Sequence, residues 1–474
     1  MKKKIICLMT SVILCLSLLT GCQLGSRTTA PEEEGPVTVY AVDMSLPENV
    51  ENLREQRDYE LTEYAFIEDY NNSVDGSRQI EVQLFADAET MNRQISTEVL
   101  SGGGPDLFLF RDSTLPHFQK YAGQGVFADL DEYLQGSGYE ESQFQQTVYD
   151  YGKVNGKQKF VPLEYGIPVC ITLQSLAEEY GLEEIGEQLN YQNYYELLSK
   201  TNTMGIPIFE EYKEYDFHLF WFNELDSFRY RMIPAFIDEE RRAGQFTSPL
   251  FQEAIENYKE VVENQRGRDA FFTAFGNLQV GGLINRSLLF YNDPIMSDMQ
   301  LMNVFIDKYF AFAEKEKYKD LLDDKPLIYP IKEYNGKDYS AYVGRMMAIN
   351  DNSTRKNKAW EVINYALSPS FQNSMVDTDY SVGLNPVSLE GQQRNKEMLL
   401  NINSEQRALM KDFIDRYYEL LNSVTKCDCL TYNSMYVQEV FDPLYLEYES
   451  GEKTLDEFVK ELQNKTGLYL KEQN

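Results

Sequence analysis

The chain has 474 residues, of which 43% are hydrophobic, with 34 Tyr and 27 Phe, and this composition is typical of an ordered globular protein of roughly two or three domain-sized units. A formal net charge of −32 repels phosphate backbones and anionic lipid headgroups, which argues against nucleic-acid binding. Because there are only two histidines and no second cysteine pair, we expect no metal site and no cofactor.

The N-terminus has the organisation of a secretory signal. A basic segment, Lys2 to Lys4, precedes an apolar run from Ile5 to Leu19 that is too short to span a bilayer comfortably. The run ends in Leu-Thr-Gly-Cys, which resembles a bacterial lipobox, where the sulfur of Cys22 carries a diacylglycerol. The sequence therefore predicts a lipoprotein signal peptide at residues 1–21. The alternative is an uncleaved N-terminal anchor.

The segment that follows, residues 22–36, is rich in Pro and Glu and is predicted to be a flexible tether. Both interpretations of the N-terminus place the chain on the extracytoplasmic face of the cell membrane. Its only predicted membrane contact is the lipid on Cys22. The later cysteines, Cys170, Cys427 and Cys429, are too few for a disulfide framework. The last two either close a small strained ring or stay separate thiols.

Strands and helices alternate in the first part of the chain. Period-two and short apolar patterns predict strands at 37–42, 80–85 and 107–110, and helical spacing predicts helices at 61–70 and 89–100. This order indicates a doubly wound α/β lobe. Helical patterns dominate after about residue 170 and again from residue 404, with a further strand predicted at 345–349 and a helix at 358–367.

Several motifs, in order along the chain, resemble segments of the extracellular solute-binding proteins of ABC importers, in particular the large carbohydrate-binding type. They are Ser101 to Leu107 (with Gly-Pro-Asp), Gly125 to Leu130, Asn155 to Pro162, Phe246 to Pro249, Ala359 to Ile363, Gly383 to Val387 and Tyr448 to Leu462. One departure is Gln174-Ser175, which stands where the family usually has Asn-Lys.

The resemblance implies an α/β, two-lobe periplasmic-binding-protein-like fold. Each lobe is expected to be a doubly wound, mainly parallel sheet, and the C-terminal region to be helical. Lobe 1 is expected at 37–168 and 330–383, and lobe 2 at 169–329 and 384–474. The implied function is non-enzymatic: a monomer binds a carbohydrate between two closing lobes and delivers it to a membrane permease. The length of the chain favours an oligosaccharide as the carbohydrate.

Candidate ligand-binding residues follow from position as well as residue type. In open α/β sheets the ligand lies beyond the carboxyl ends of the strands, and sugar sites combine aromatic faces with hydrogen-bonding side chains. Side chains that meet these conditions, or that belong to an aromatic cluster of the second lobe, are Asp43, Ser45, Phe110, Arg111, Asp112, Ser113, Glu164, Tyr165, Trp221 and Arg345.

Each candidate also has a structural interpretation. Phe110 and Tyr165 are equally compatible with a packed core, and the aromatic cluster around Trp221 is more typical of a packed core than of a ligand surface. The neighbours Arg111 and Asp112 are compatible with a surface ion pair, and Glu164 with a solvated loop acid. If these side chains line the cleft, Ala substitution of Phe110, Asp112 or Tyr165 abolishes binding and leaves stability nearly intact.

Two other classes of function compete with transport. A surface sensor or adhesin with the same fold would present its ligand to a receptor, and peptide is an alternative cargo. A secreted glycoside-active enzyme would need a catalytic carboxylate pair, but nothing in the sequence singles out two of the 76 acidic residues.

Overall fold

In this computed structural model the protein forms two compact units, Met1–Glu34 and Gly35–Asn474, and the elements below belong to the second. The structure describes residues 34–43, 66–112, 114–179, 181, 186–193, 233–238, 243–265, 291–293, 306, 310, 324–334, 336–374, 384–401, 410–428 and 436–472. Within these ranges, no helix has both the length and the apolar composition needed to cross a membrane.

The described elements alternate between strand and helix. The strands are β1 (Val37–Val42), β2 (Ile80–Phe85), β3 (Leu107–Phe110), β4 (Lys153–Val154), β5 (Lys157–Gln158), β6 (Val161–Pro162), β7 (Glu164–Gly166), β8 (Val169–Leu173), β9 (Ile237–Asp238), β10 (Ala243–Gly244), β11 (Tyr291–Asp293), β12 (Pro326–Pro330), β13 (Ser340–Val343), β14 (Met346–Ile349), β15 (Asn385–Pro386) and β16 (Lys426–Asp428). The helices are α1 (Ala88–Leu100), α2 (Phe118–Gly123), α3 (Asp131–Ser137), α4 (Gln146–Asp150), α5 (Gln174–Glu179), α6 (Pro249–Gln265), α7 (Lys356–Leu367), α8 (Pro369–Ser374), α9 (Leu389–Asn401), α10 (Lys411–Asn422), α11 (Asp442–Glu449) and α12 (Leu455–Glu472). Residues 66–73 are also helical, and Val437–Phe441 is a π-helix.

The elements predicted from local patterns are confirmed where they are described. Strands β1, β2 and β3 have the predicted bounds, and α1 begins one residue before its prediction. Helix α1 begins there because the Asp87 side chain accepts a hydrogen bond from the Thr90 backbone N–H at 2.6 Å, which caps the helix. Of the predicted helix 61–70, residues 61–65 lie outside the described part of the chain.

Strand direction differs from the prediction of mainly parallel sheets. Strands β1 and β2 pair in parallel, as do β13 and β16. The other described pairs are antiparallel, including β14 with β3 and β6, and β12 with β8. Strand β12 joins the sheet of β8, and β14 joins that of β3 and β6, after long excursions of the chain, so local patterns could not predict that each runs against the strands it pairs with.

An aromatic cluster fills the core beside β3. The Phe110 ring lies 5.5 Å from that of Phe118 and 5.8 Å from that of Phe127, and the Phe118 and Phe160 rings meet edge-on at 5.4 Å. Offset and edge-on contacts at these distances are favourable beyond the area they bury. This cluster fixes the end of β3, from which Arg111 and Asp112 continue.

The Gly-Pro-Asp motif before β3 forms a polar junction around Asp106. One carboxylate oxygen accepts hydrogen bonds from the Thr38 backbone N–H and hydroxyl, both at 2.9 Å, and from Arg355 Nη1 at 3.0 Å. The other accepts from the Ser353 hydroxyl at 2.6 Å. Asp106 therefore joins β1, β3 and the start of α7.

Gly104 is required at this junction. Its φ of +102° lies in the left-handed region, and an added Cβ would lie 3.2 Å from Asn350 Nδ2. That same amide group donates to the carbonyl oxygens of Gly103 and Pro105, at 3.0 and 2.8 Å. The motif is thus a structural joint between the first strands and the returning chain.

We expect Asp106→Ala to lower the free energy of unfolding by about 3 kcal/mol, because it leaves four donors of a largely buried junction without their acceptor. Urea unfolding of the variant and the parent measures this difference. Asp75→Ala is the matched control, since Asp75 is 95% exposed and its pair with Arg78 is 3.8 Å long. Equal losses in the two variants would contradict the role of the junction.

Candidate functional site

Two connections between sheets carry the central candidate residues. The first, β6–β7–β8, leads from the β3–β14–β6 sheet to the β11–β8–β12 sheet, and the second, β12–β13–β14, leads back. Strand β14 pairs with both β3 and β6, with Met346 opposite Phe110 and Pro162. The residues just beyond these positions, Arg111, Glu164 and Arg345, are therefore brought together from three distant parts of the sequence.

Glu164, Arg111 and Arg345 form a buried ion triad. Arg345 Nη2 donates to Glu164 Oε2 at 2.7 Å, and Arg111 Nη1 lies 3.1 Å from Oε1. The Arg345 backbone N–H also donates to Oε1, at 3.2 Å. The side chains are only 0%, 4% and 2% exposed, respectively. The interpretation of Glu164 as a solvated loop acid is therefore wrong.

The neighbouring Asp112 is buried too. It is 1% exposed and follows Arg111 directly, so the interpretation of these two residues as a surface ion pair is also wrong. The triad has two guanidinium groups and one carboxylate, and Asp112 adds a second carboxylate to this part of the interior. Among the described residues, Arg345 Nε has no hydrogen-bond partner although it is buried.

The electrostatics of the triad keep Glu164 ionised. Burial acts to raise the pKa of Glu164, but the nearby charges of Arg345 and Arg111 and the hydrogen bonds from Arg345 outweigh it, so the pKa lies below the usual range. A carboxylate held ionised in this way is a poor proton donor near neutral pH. The arrangement therefore favours holding backbone segments and guanidinium groups in place over acid–base chemistry.

Tyr165, the next residue of β7, points into the interior. It is fully buried, its hydroxyl donates to the Leu421 carbonyl oxygen at 3.1 Å, and it accepts from Gln392 Nε2 at 3.0 Å. Burial raises the pKa of Tyr165 well above its ordinary value. Tyr165 thus connects β7 to the C-terminal helices α9 and α10.

The other candidates fall into two groups. Asp43 follows β1, is partly exposed, and its backbone N–H donates to the Phe85 carbonyl oxygen at 2.7 Å. Ser45, Ser113, Trp221 and the lipidation residue Cys22 lie outside the described residues. The contribution of each candidate to ligand binding stays a prediction.

The burial of three candidates corrects one expectation from the sequence. Phe110, Asp112 and Tyr165 are 2%, 1% and 0% exposed, so Ala substitutions there remove packed or hydrogen-bonded groups. Truncation of a buried aromatic side chain typically costs about 3–5 kcal/mol. Loss of binding in these variants could therefore result either from a lost ligand contact or from a lower stability of the fold.

A groove between α9 and α10 was not singled out by the sequence. It has a volume of about 850 Å³ and is lined by Leu389, Gln392, Gln393, Lys396, Lys411, Asp415, Tyr418, Glu419, Asn422 and Ser423. Lys396 Nζ lies 2.7 Å from Asp415 Oδ1, and Lys411 pairs with the other carboxylate oxygen, so the two ammonium groups lower the pKa of Asp415. The helical pattern from residue 404 predicted α10, whereas α9 was not predicted as a separate helix, and no local pattern indicates which faces of the two helices meet.

No protein-family model matches the sequence, and no curated protein does. The structure, in contrast, resembles many solved ones. The sugar-binding protein MalE from Xanthomonas citri is 13% identical over 92% of this chain and 98% of its own, with a TM-score of 0.55. An ABC substrate-binding protein from Listeria monocytogenes, in complex with cycloalternan, is 15% identical over 93% of this chain and 100% of its own, with a TM-score of 0.51.

The chain has the fold of ABC substrate-binding proteins. The GacH receptor of Streptomyces glaucescens, solved in the unliganded form and in complex with acarbose, has the same fold. It is 13% identical over 93% of this chain and 99% of its own, with a TM-score of 0.53. The predicted two-lobe α/β fold is thereby confirmed. At these identities the similarity to substrate-binding proteins establishes the fold and not the ligand.

We expect Glu164→Gln to lower the free energy of unfolding by about 3 kcal/mol near neutral pH, because it leaves two buried guanidinium groups without their carboxylate. A carboxylate with a depressed pKa contributes stability above its unfolded pKa of about 4.3, and this contribution disappears as pH falls through the folded pKa. The difference between parent and variant should therefore shrink below about pH 4.

Urea unfolding at a series of pH values measures this dependence. Glu141→Gln is the control, because Glu141 is 56% exposed and pairs with Lys153 at the surface, 2.9 Å away. A difference between parent and Glu164→Gln that stays constant from neutral to acidic pH would rule out the assigned ionisation.

Proposed function

We propose that this protein is the lipid-anchored, extracytoplasmic substrate-binding protein of an ABC importer, and that it binds a carbohydrate between its two lobes and delivers it to the permease. The observation that carries the proposal is the fold, which it shares with sugar-binding proteins over more than nine-tenths of the chain. The lipobox-like sequence ending at Cys22 supports the anchor and the compartment.

The buried triad supports a binding mechanism that depends on lobe movement. Glu164 lies on the first connection between sheets and Arg345 on the second, and their contact at 2.7 Å joins the two connections. In a two-lobed binding protein, hinge closure passes through such connections. We propose that the triad keeps the two connections in register while the lobes close, and that no covalent step takes part.

We expect a carbohydrate to raise the melting temperature of the soluble chain 26–474, which contains the whole compact unit Gly35–Asn474. A ligand at about one hundred times its Kd stabilises the native state by about 2.7 kcal/mol, enough for a measurable thermal shift. The panel should contain monosaccharides, oligosaccharides, amino acids and peptides. A shift with peptides alone would replace the sugar with a peptide cargo, and no shift with any compound would argue against a solute-binding role.

For the anchor, we expect Cys22→Ser to move the protein from the membrane fraction to the soluble extracytoplasmic fraction, because serine offers no sulfur for acylation. Fractionation with metabolic labelling by a palmitate analogue measures both location and lipid. Cys170→Ser serves as the control, since Cys170 is buried in β8. Label that persists on Cys22→Ser would exclude lipidation at this residue.

A further inference from the structure

We infer that α9 and α10 form a strap between the two lobes, on the side of β7 that faces away from the ion triad, and that this strap resists lobe closure. The inference rests on the lobe movement proposed above and assigns its regulation to groups that do not contact the ligand. Lobe 1 is expected to include residues 330–383, and lobe 2 residues 169–329. Both helices belong to the range 384–474, also expected in lobe 2, but their contacts divide between the lobes.

The start of helix α9 is held against lobe 1. The helix packs on α8, and an added Cβ on Gly391 would lie 3.2 Å from the backbone oxygen of Gln372, so the two helices are in close contact. The Ser388 backbone N–H donates to the fully buried side chain of Gln372 at 3.4 Å. Just before the helix, the Gln145 backbone N–H donates to the Val387 carbonyl oxygen at 2.9 Å. The start of α9 should therefore move with lobe 1.

Helix α10 is held against lobe 2. It packs on β12, and Arg416 Nη2 donates to both carboxylate oxygens of Glu187, at 2.6 and 2.5 Å. Glu187 lies on the short 3₁₀ helix Gly186–Gln188, within the range expected for lobe 2. Hydrogen bonds between two charged groups are stronger than those between neutral groups. The Arg416–Glu187 pair is therefore a link between α10 and lobe 2.

A second ion pair joins the two helices across the groove between them. Lys396 Nζ on α9 lies 2.7 Å from Asp415 Oδ1 on α10, and Asp415 directly precedes Arg416. The side chains of Lys396 and Asp415 are 24% and 27% exposed, so solvent screens the pair only in part. The contacts form one series, from lobe 1 through α9, the Lys396–Asp415 pair, α10 and the Arg416–Glu187 pair to lobe 2.

The position of the strap relative to β7 decides the sign of its effect. Successive residues of a strand point to opposite faces, so Glu164 faces the end of β3, whereas Tyr165 faces α9 and α10 and bonds to Gln392 and Leu421. The ligand is proposed to lie beyond the strand ends, on the Glu164 side. Closure on that side moves the lobes apart on the opposite side, because the hinge lies between the two. The strap therefore opposes closure.

A weak strap is enough to change the ligand affinity. The apparent Kd of a ligand that binds the closed form rises as the population of that form falls. A partly exposed ion pair typically changes such an equilibrium by up to about fivefold. We therefore expect loss of the strap to lower the Kd about threefold to fivefold. Salt weakens such pairs, so the Kd of the parent should also fall as the ionic strength rises.

Two variants break the strap at different links. Lys396→Met removes the ammonium group and retains most of the stem beside the Tyr418 ring, and Glu187→Gln removes the carboxylate that binds Arg416. Each variant should lower the Kd about threefold to fivefold. Because the two links are in series, the double variant should bind no more tightly than either single variant. Independent ion pairs would instead give additive changes in the free energy of binding.

Each link has a matched control within α10. Lys411 pairs with the same carboxylate as Lys396, but from the preceding turn of α10, so Lys411→Met breaks no contact between the helices. Glu419 pairs with the same guanidinium group as Glu187, at 3.2 Å, but from the following turn of α10, so Glu419→Gln breaks no contact with lobe 2. Both controls should leave the Kd unchanged.

Two measurements read the strap. Calorimetry on chain 26–474, at low and high salt, measures the Kd for the carbohydrate of the thermal-shift panel that stabilises the parent most. Small-angle X-ray scattering of the ligand-free protein measures its radius of gyration and requires no ligand. Without the strap the ligand-free lobes should close more often, so the radius of gyration of Lys396→Met and Glu187→Gln should be smaller than that of the parent and the controls.

Lower Kd values in both strap variants, unchanged values in both controls and no further gain in the double variant support the strap. A Kd that is unchanged or higher in either strap variant, or additive changes in the double variant, overturns the strap while the proposed function stands. If the parent binds no carbohydrate, the proposed function fails and scattering alone decides: a smaller radius of gyration in the strap variants supports the strap, and an unchanged one overturns it.

Discussion

The ionised carboxylate of Glu164 in a fully buried position is the constraint on which the centre of the structure depends. A charge without solvent is tolerable only when opposite charges and hydrogen bonds surround it, and here they come from Arg111 and Arg345. These partners lie at the end of β3 and just before β14. Strand β14 pairs with β3 and β6, and this pairing brings both arginines to Glu164. The arrangement of the chain that forms the sheet is therefore the one that compensates the buried charge.

Strand β7 extends this constraint to the C-terminal helices. Successive residues of a strand point to opposite faces, so Glu164 enters the ion triad while Tyr165 faces the other way. The Tyr165 hydroxyl bonds to the Leu421 carbonyl oxygen on α10 and to Gln392 on α9. A three-residue strand is thus held on one face by charge and on the other by a buried polar network. Through Gln392 this network reaches the floor of the groove, so the connection and the helices share their polar partners.

Features that depend on neighbouring residues could be predicted from the sequence, whereas features that depend on contacts between distant residues could not. Strands β1 to β3 and helix α1 follow from period-two patterns, short apolar runs and helical spacing, which are properties of neighbouring residues. Arg345 was a candidate because it precedes a later strand. The rule that ligand groups follow strand ends selected Arg111 and Glu164 as candidates for ligand contact, and that role stays a prediction. The sequence did not predict that the three bind one another, because Glu164 and Arg345 are 181 positions apart and their residue types are equally suited to a ligand. Antiparallel entry of β14 and the meeting of α9 with α10 are also long-range outcomes.

A buried ion triad has a high desolvation cost compared with apolar side chains placed where the two connections meet. Apolar side chains of similar volume often give equal or greater stability, because they avoid the desolvation of three charges. They do not, however, distinguish one backbone register from another. In the triad Glu164 Oε1 accepts from the Arg345 backbone N–H, while Leu163 N–H donates to the Arg345 carbonyl oxygen at 2.9 Å. Slippage of either connection by one residue would break the ion pair and both backbone contacts together. The charges therefore contribute most by specifying how two long excursions of the chain return to the same sheet.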